Sequence, residues 1–126
     1  MEKKIKIKAG DVQAGAVLND SPTAEKIWEA LPVEARANTW GDEVYFAIPV
    51  KAPLEKTARE VVEVGDLGYW PTGNALCIFF GPTPMSRGKE VRPASAVNLV
   101  GRLSGDARIF KKVSAGAKIH IEKEKE

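Results

Sequence analysis

Nucleophilic catalysis needs a nucleophile with a base beside it, and this chain offers one cysteine, Cys77, and one histidine, His120. Cys77 lies in the apolar run Ala75–Leu76–Cys77–Ile78–Phe79–Phe80, where a free cysteine behaves as a small buried hydrophobe. His120 sits between Ile119 and Ile121 on an alternating segment, so it points outward from an edge-like strand. No serine, histidine and aspartate make a recognisable triad, and no His or Cys group has metal-ligand spacing. Gly65-Asp66-Leu67-Gly68 lacks the helix and the spacing of a phosphate loop. Glu60 and Glu63 are paired carboxylates, but in a charged run they read as a solvated face. A more promising signal is the segment Gly65–Pro84, where glycines, prolines and aromatics interleave. Gly and Pro fix the backbone there, and Tyr69 and Trp70 are expected to project from a rigid turn as an aromatic surface for peptides. Phe79 and Phe80 alternate, so one faces inward and the other a cleft. The candidate ligand-binding set is Tyr45, Tyr69, Trp70, Phe80, Thr83, Ser86, Arg87 and Asn98, with no catalytic residue assigned and no metal or cofactor expected.

These residues need a scaffold, and 126 residues suffice for one domain. The chain is 44% hydrophobic and 29% charged, enough for a core beneath a wettable surface. Nineteen basic against 17 acidic residues leave a formal net charge of +2, which argues against a dedicated nucleic-acid binder. Lys3, Lys4, Lys6 and Lys8 interleave with Ile5 and Ile7, so they form the wet face of a strand. One cysteine excludes an intramolecular disulfide. No apolar stretch approaches the roughly 18 residues of a membrane span, and no signal-peptide core is visible. A cytoplasmic location is the expectation, with no membrane partner and a monomer or weak homodimer. The Lys/Glu-rich end Glu122–Glu126 would suit a thermophile.

The local pattern predicts a mainly β chain. Lys3–Ala9 and Val12–Leu18 alternate around Gly10–Asp11 as a hairpin. Ser21 caps a helix begun by Pro22 and stopped by Pro32, with Ala24, Ile27, Trp28 and Leu31 as one apolar stripe. Ala35–Trp40 and Glu43–Val50 read as a second hairpin across Gly41–Asp42. Arg59–Val64 is read as a strand, Asn74–Phe80 as a central strand, Gly81–Pro93 as a long loop and Ala96–Leu103 as a further strand. Asp106–Val113 is a short helix with Ile109, Phe110 and Val113 inward, and Ala117–Glu122 closes the chain as a strand. Many short strands with one clear helix (about 22–31) and a second short one (about 106–113) predict a closed barrel, its first and last strands paired.

Three stretches resemble cyclophilins, in that family's order. Ser21–Leu31 resembles the first helix, P-K-T-A-E-N-F-x-A-L. Tyr45-Phe46-Ala47-Ile48 and Gly65-Asp66-Leu67 resemble the F-H-R-I strand and G-G-D-F turn that line the cyclophilin active site. Val100–Gly105, Lys111-Lys112-Val113 and Lys118-Ile119-His120-Ile121 resemble the later F-G-K-V-x-x-G, K-x-I and K-I-x-I elements. The whole chain is similar to small prokaryotic cyclophilin-like domains of uncharacterised function, through NDSPTA, WG-x-EVYF, GDLGYWP, FFGPTP-x-S, PAS and N-x-x-G. The resemblance implies a cyclophilin-like barrel spanning residues 1–126. In cyclophilins, catalysis depends on an arginine that hydrogen-bonds the proline nitrogen of the twisted amide. Its position here holds Ala47, which cannot make that transition-state interaction. The expected function is a binding domain whose cleft takes a peptide segment or small ligand without standard cyclophilin catalysis. The alternative is a peptidyl-prolyl isomerase with a relocated arginine: Arg87, Arg92 or Arg102.

Overall fold

The computed structural model describes residues 2–124. β1 (Lys3–Ala9) and β2 (Val12–Leu18) form the first hairpin, in register Ala9 with Val12 and Lys3 with Leu18. Its turn is possible because Gly10 adopts φ +59°, a left-handed conformation that side chains disfavour. Ile5, Ile7 and Ala9 are buried while the intervening lysines face water, as a period of two requires. Lys3 is the partial exception: its Nζ reaches Glu25 at 2.7 Å and Asp20 at 3.1 Å, tying the strand to the helix start.

Helix α1 (Pro22–Ala30) begins as its sequence demands. Ser21 Oγ accepts from the Ala24 amide at 3.2 Å, and Pro22 occupies the first turn, where its missing donor costs nothing. Thr23, Ala24 and Ile27 are buried against the barrel. Trp28 is half-buried at the stripe's edge, with Lys123 Nζ 4.7 Å from its ring centre, a cation–π contact.

The remaining strands are β3 (Val33–Arg36), β4 (Asn38–Thr39), β5 (Glu43–Ala47), β6 (Asp66–Trp70), β7 (Ala75–Phe79), β8 (Asn98–Ser104) and β9 (Lys118–Lys123). With the first hairpin they make one antiparallel sheet in the order β3-β9-β1-β2-β8-β6-β7-β5-β4. β1 pairs with β9 as expected of a barrel's first and last strands. The two edges of the sheet, β3 and β4, are consecutive along the chain and separated only by Ala37. Ala37 is buried and hydrogen-bonded on both sides, its N–H to Ala117 O and its carbonyl to Gly116 N–H. The chain therefore crosses the seam itself, and the barrel is nearly closed. Its interior is filled by Ile5, Ile7, Val44, Phe46, Leu67, Tyr69, Leu76, Ile78, Ile119 and Ile121. Each buried aliphatic or aromatic group of this size contributes roughly 1.5–3 kcal/mol. Phe110, on the 3-10 helix Ala107–Lys112, closes one end against Phe80 with ring centres 6.3 Å apart.

Several details differ from the sequence reading. The second hairpin is split: Val33–Arg36 pairs with β9, and only Asn38–Thr39 pairs with β5. Alternation fixes which face a strand buries but not its partner, and Ala37 diverts the first arm. His120 accordingly lies on an interior strand of the sheet, between Glu34 and Glu122, with its ring nitrogens 3.5 Å from each carboxylate. Arg59–Val64 is not a strand; it contributes single bridges, Arg59 to Val97 and Val62 to Val91. In the second short helix Ala107, Phe110 and Val113 are buried and Ile109 only half so, because the tighter 3-10 winding changes which side faces in. The Tyr69–Trp70 segment, expected as a turn, ends strand β6; the turn is the following 3-10 segment Pro71–Gly73.

Candidate functional site

The outer faces of β5, β7 and β6 are not left to solvent. On β5, Val44 and Phe46 point into the barrel, so Glu43 and Tyr45 share the outer face. On β7, Cys77 lies opposite Tyr45 and Phe79 opposite Glu43. Across them runs the segment Gly81–Val97, and Val62, Cys77, Phe79, Val91 and Val97 form a second, smaller apolar cluster outside the barrel. Gly68 of β6 permits this close cover. A Cβ there would stand 2.8 Å from Val97 Cγ2, so any side chain would push the covering segment off the sheet.

Between cover and sheet is a pocket of about 250 Å3. Trp40, Tyr45 and Trp70 line it with aromatic surface, Pro93, Ala94 and Val97 come from the cover, and Glu43 and Cys77 come from the sheet. Tyr45 and Trp70 meet edge to face, with centres 6.4 Å apart and planes at 81°. The Trp70 indole N–H donates to Ser95 Oγ at 2.6 Å, which joins the sheet side to the cover. Trp70 also packs closely on Gly73, where a Cβ would fall 2.8 Å from its six-membered ring. Gly73→Ala is therefore expected to displace the indole. It should red-shift tryptophan emission and move the Trp70 indole N–H resonance while leaving far-ultraviolet circular dichroism unchanged.

With this geometry in view, a sequence model of the cyclophilin-like family matches residues 3–122. The chain belongs to the cyclophilin-like family. Among solved structures, the solution structure of the hypothetical protein AF2241 from Archaeoglobus fulgidus is 38% identical, with a TM-score of 0.83. That match covers 98% of this chain and 95% of the archaeal one. McbB, solved in complex with tryptophan, shares the fold at 15% identity and a TM-score of 0.70, over 97% of this chain and 45% of McbB. No curated protein matches the sequence.

In this cyclophilin-like protein the most unusual group is the Glu43 carboxyl. The residue is only 5% exposed, and Oε1 has no hydrogen-bond partner among the described residues. Burial raises its pKa from 4.5 to about 7, against a weak hydrogen bond from the Cys77 thiol that acts in the opposite direction. Burial first, and the neighbouring carboxylate second, hold the Cys77 thiol well above its ordinary value. The thiol is thus neutral and a poor nucleophile.

The candidate ligand set is dispersed by the fold. Tyr45 and Trp70 line the pocket. Tyr69 alternates inward from Trp70, is fully buried in the barrel and donates its hydroxyl to Val50 O at 2.6 Å. The phenylalanine pair is oriented oppositely to the candidate set: Phe80 belongs to the interior cluster and Phe79 to the outer one. Thr83 and Ser86 build the cover. Ser86 Oγ accepts from the Thr83 amide at 2.9 Å and the Arg92 amide at 3.1 Å, and Thr83 Oγ1 donates to Arg92 O. Arg87 is exposed, with its amide bound to Glu90. Asn98 is fully buried behind helix α1, where its amide group is saturated by protein partners. Trp40, which its place before the hairpin turn marks as a packing residue, lines the pocket together with Glu43 and Pro93, and none of the three is in the candidate ligand set. The alternation in EVYF does put Glu43 on the face of Tyr45; what it cannot reveal is that this face is roofed.

Three arginines lie near this face but line other grooves. Arg59 and Arg102 border an open groove of about 490 Å3 with Asp66 and Glu63, and Arg102 Nη1 is held by Asp66 Oδ1 at 2.7 Å. Arg92 is paired with Glu90 at 2.9 Å beside a separate depression.

Proposed function

We propose that the chain is a binding domain whose aromatic pocket takes one side chain of a peptide segment, or a small ligand, without standard cyclophilin catalysis. The observation that carries this reading is the preformed pocket of Trp40, Tyr45 and Trp70 on the outer face of β5–β7–β6. Pockets for drug-sized ligands occupy roughly 300–1,000 Å3, so about 250 Å3 suits a single side chain or a small head group. Ala47 supports the non-catalytic half of the reading. It is exposed on the same strand face, two residues beyond Tyr45, and supplies no donor for a twisted prolyl amide. The pocket lining contains no arginine or lysine.

An amide NMR titration with a short Ala-Pro peptide, with the peptide's own cis–trans exchange monitored, tests the reading. Saturable shifts around Tyr45 and Trp70 without faster exchange are expected. Trp70→Ala should weaken binding at least tenfold, since a buried aromatic anchor contributes on the order of 2 kcal/mol. Accelerated exchange that disappears on Arg92→Ala or Arg102→Ala would replace this reading with an isomerase using a relocated arginine.

A further inference from the structure

We infer that the pocket is built for an organic ammonium group: a protonated primary, secondary or tertiary amine on a short alkyl arm. This rests on the binding-pocket reading above and specifies its ligand chemistry. Two features converge. Trp40, Tyr45 and Trp70 line one small space, and aromatic faces attract a cation through their quadrupole, most strongly where water is excluded. Glu43, only 5% exposed and so 95% buried, is a lining residue of the same space, and its Oε1 has no hydrogen-bond partner among the described residues. A buried carboxyl without a counterion is costly, and no Lys, Arg or His among the described residues lines the pocket to neutralise it. The terminal torsion of a glutamate is broad, so the carboxyl can turn either oxygen toward the cavity.

The same pair of features sets the substitution pattern of the amine. An orphan acceptor needs a donor, so the ligand nitrogen must keep at least one N–H; a quaternary ammonium satisfies the rings but not the carboxyl. The volume admits the head group and a few carbons, which fits either a free alkylamine or a lysine side chain, methylated or not, of a peptide.

The test is a titration of the full chain at about pH 8, where Glu43 is ionised and alkylamines are protonated. It follows tryptophan fluorescence and amide shifts with butylammonium, N,N-dimethylbutylammonium, butyltrimethylammonium and the uncharged 1-pentanol. Saturable binding of the first two is expected, at least tenfold tighter than pentanol and tighter than the quaternary probe. Glu43→Gln, which keeps the shape, should abolish that preference while the spectrum stays dispersed. A lysine-containing peptide that competes with butylammonium more strongly than free lysine identifies a peptide source, and the reverse order a free amine. Both orders support the inference. Pentanol binding as tightly as the amines, or a Gln variant with unchanged preference, overturns the ammonium inference and leaves the binding pocket standing. If no probe and no Ala-Pro peptide moves the Tyr45 and Trp70 resonances, the pocket reading itself fails.

Discussion

Replacing Asn98 with alanine is expected to lower the unfolding free energy by about 3 kcal/mol, a change read directly as a shift in denaturant midpoint at constant slope. The residue is fully buried and fills three roles at once. Its Oδ1 accepts from the Glu55 amide at 2.8 Å, and its Nδ2 donates to Pro53 O at 2.9 Å and Thr23 Oγ1 at 3.0 Å. Each such bond is worth about 1 kcal/mol net, and each buried group left unpaired costs a further 1–3 kcal/mol where water cannot reach it. The damage spreads beyond position 98. Glu55 caps the start of α1 through the Thr23 amide at 3.0 Å and the Thr23 hydroxyl, so releasing residues 53–55 also frees the helix N-terminus. Asn98→Asp should be at least as damaging. It keeps the acceptor but loses the donor, and it brings a second carboxylate toward Glu55. A loss below about 1 kcal/mol in the alanine variant would show that residues 53–55 are held in place by other contacts.

Stability is also expected to fall as pH rises from about 4.5 to 7, and Glu43→Gln should remove that component. The native state keeps the Glu43 proton up to about pH 7, whereas the unfolded chain releases it near the ordinary value of 4.5. Between those limits the native state binds more protons than the unfolded one, so raising the pH favours unfolding. The stability is fully present below pH 4.5, declines through the window and levels off above 7. At about 1.4 kcal/mol per unit, the span from 4.5 to about 7 corresponds to roughly 3 to 4 kcal/mol. Subtracting the Gln variant's pH profile from that of the parent isolates this group from the other titrating residues. The variant should be the more stable protein at about pH 8. A difference profile that is flat from pH 4 to 8 would mean that Glu43 is ionised in the native state at little cost. Retaining a stability penalty of this size at neutral pH is what a residue kept for binding rather than for folding would do.

The scaffold was largely legible because it is written in local chemistry. Ser21-Pro22 announces a helix start, and Ile5, Ile7, Ile119 and Ile121 announce one-sided strands, since capping and period-two burial need no knowledge of distant residues. The pocket was less legible because it depends on what crosses what. Gly68 looked like a turn glycine, yet it sits inside a strand because Val97 passes over it. That one reading decided the rest: once β6 is a strand, Tyr69 must face in and Trp70 out. Phe79 and Phe80 present the same difficulty, since alternation separates them without saying which side is the barrel's interior. Glu43 drew no attention in the sequence because the roof above it comes from residues some 50 positions later in the chain. Asn98 carried no local sign of its role, as its partners lie at Thr23, Pro53 and Glu55.

The cover over β5–β7–β6 is tied to the rest of the chain quite differently from the barrel strands. It is stitched internally by Thr83 and Ser86, and it meets the rest of the chain at separate points: isolated bridges at Arg59 and Val62, the Asp42 amide on Pro82 O, the Trp70 indole on Ser95, and the apolar packing of Val91 and Val97. Barrel residues sit in continuous ladders, where a substitution disturbs neighbours on both sides. The cover is therefore the more evolvable layer. Changes at Pro93, Ala94 or Ser95 can resize the pocket and retune its ligand while the core that sets foldability is left alone. A barrel of this kind offers one durable frame on which descendants can acquire different specificities by rewriting a single loop.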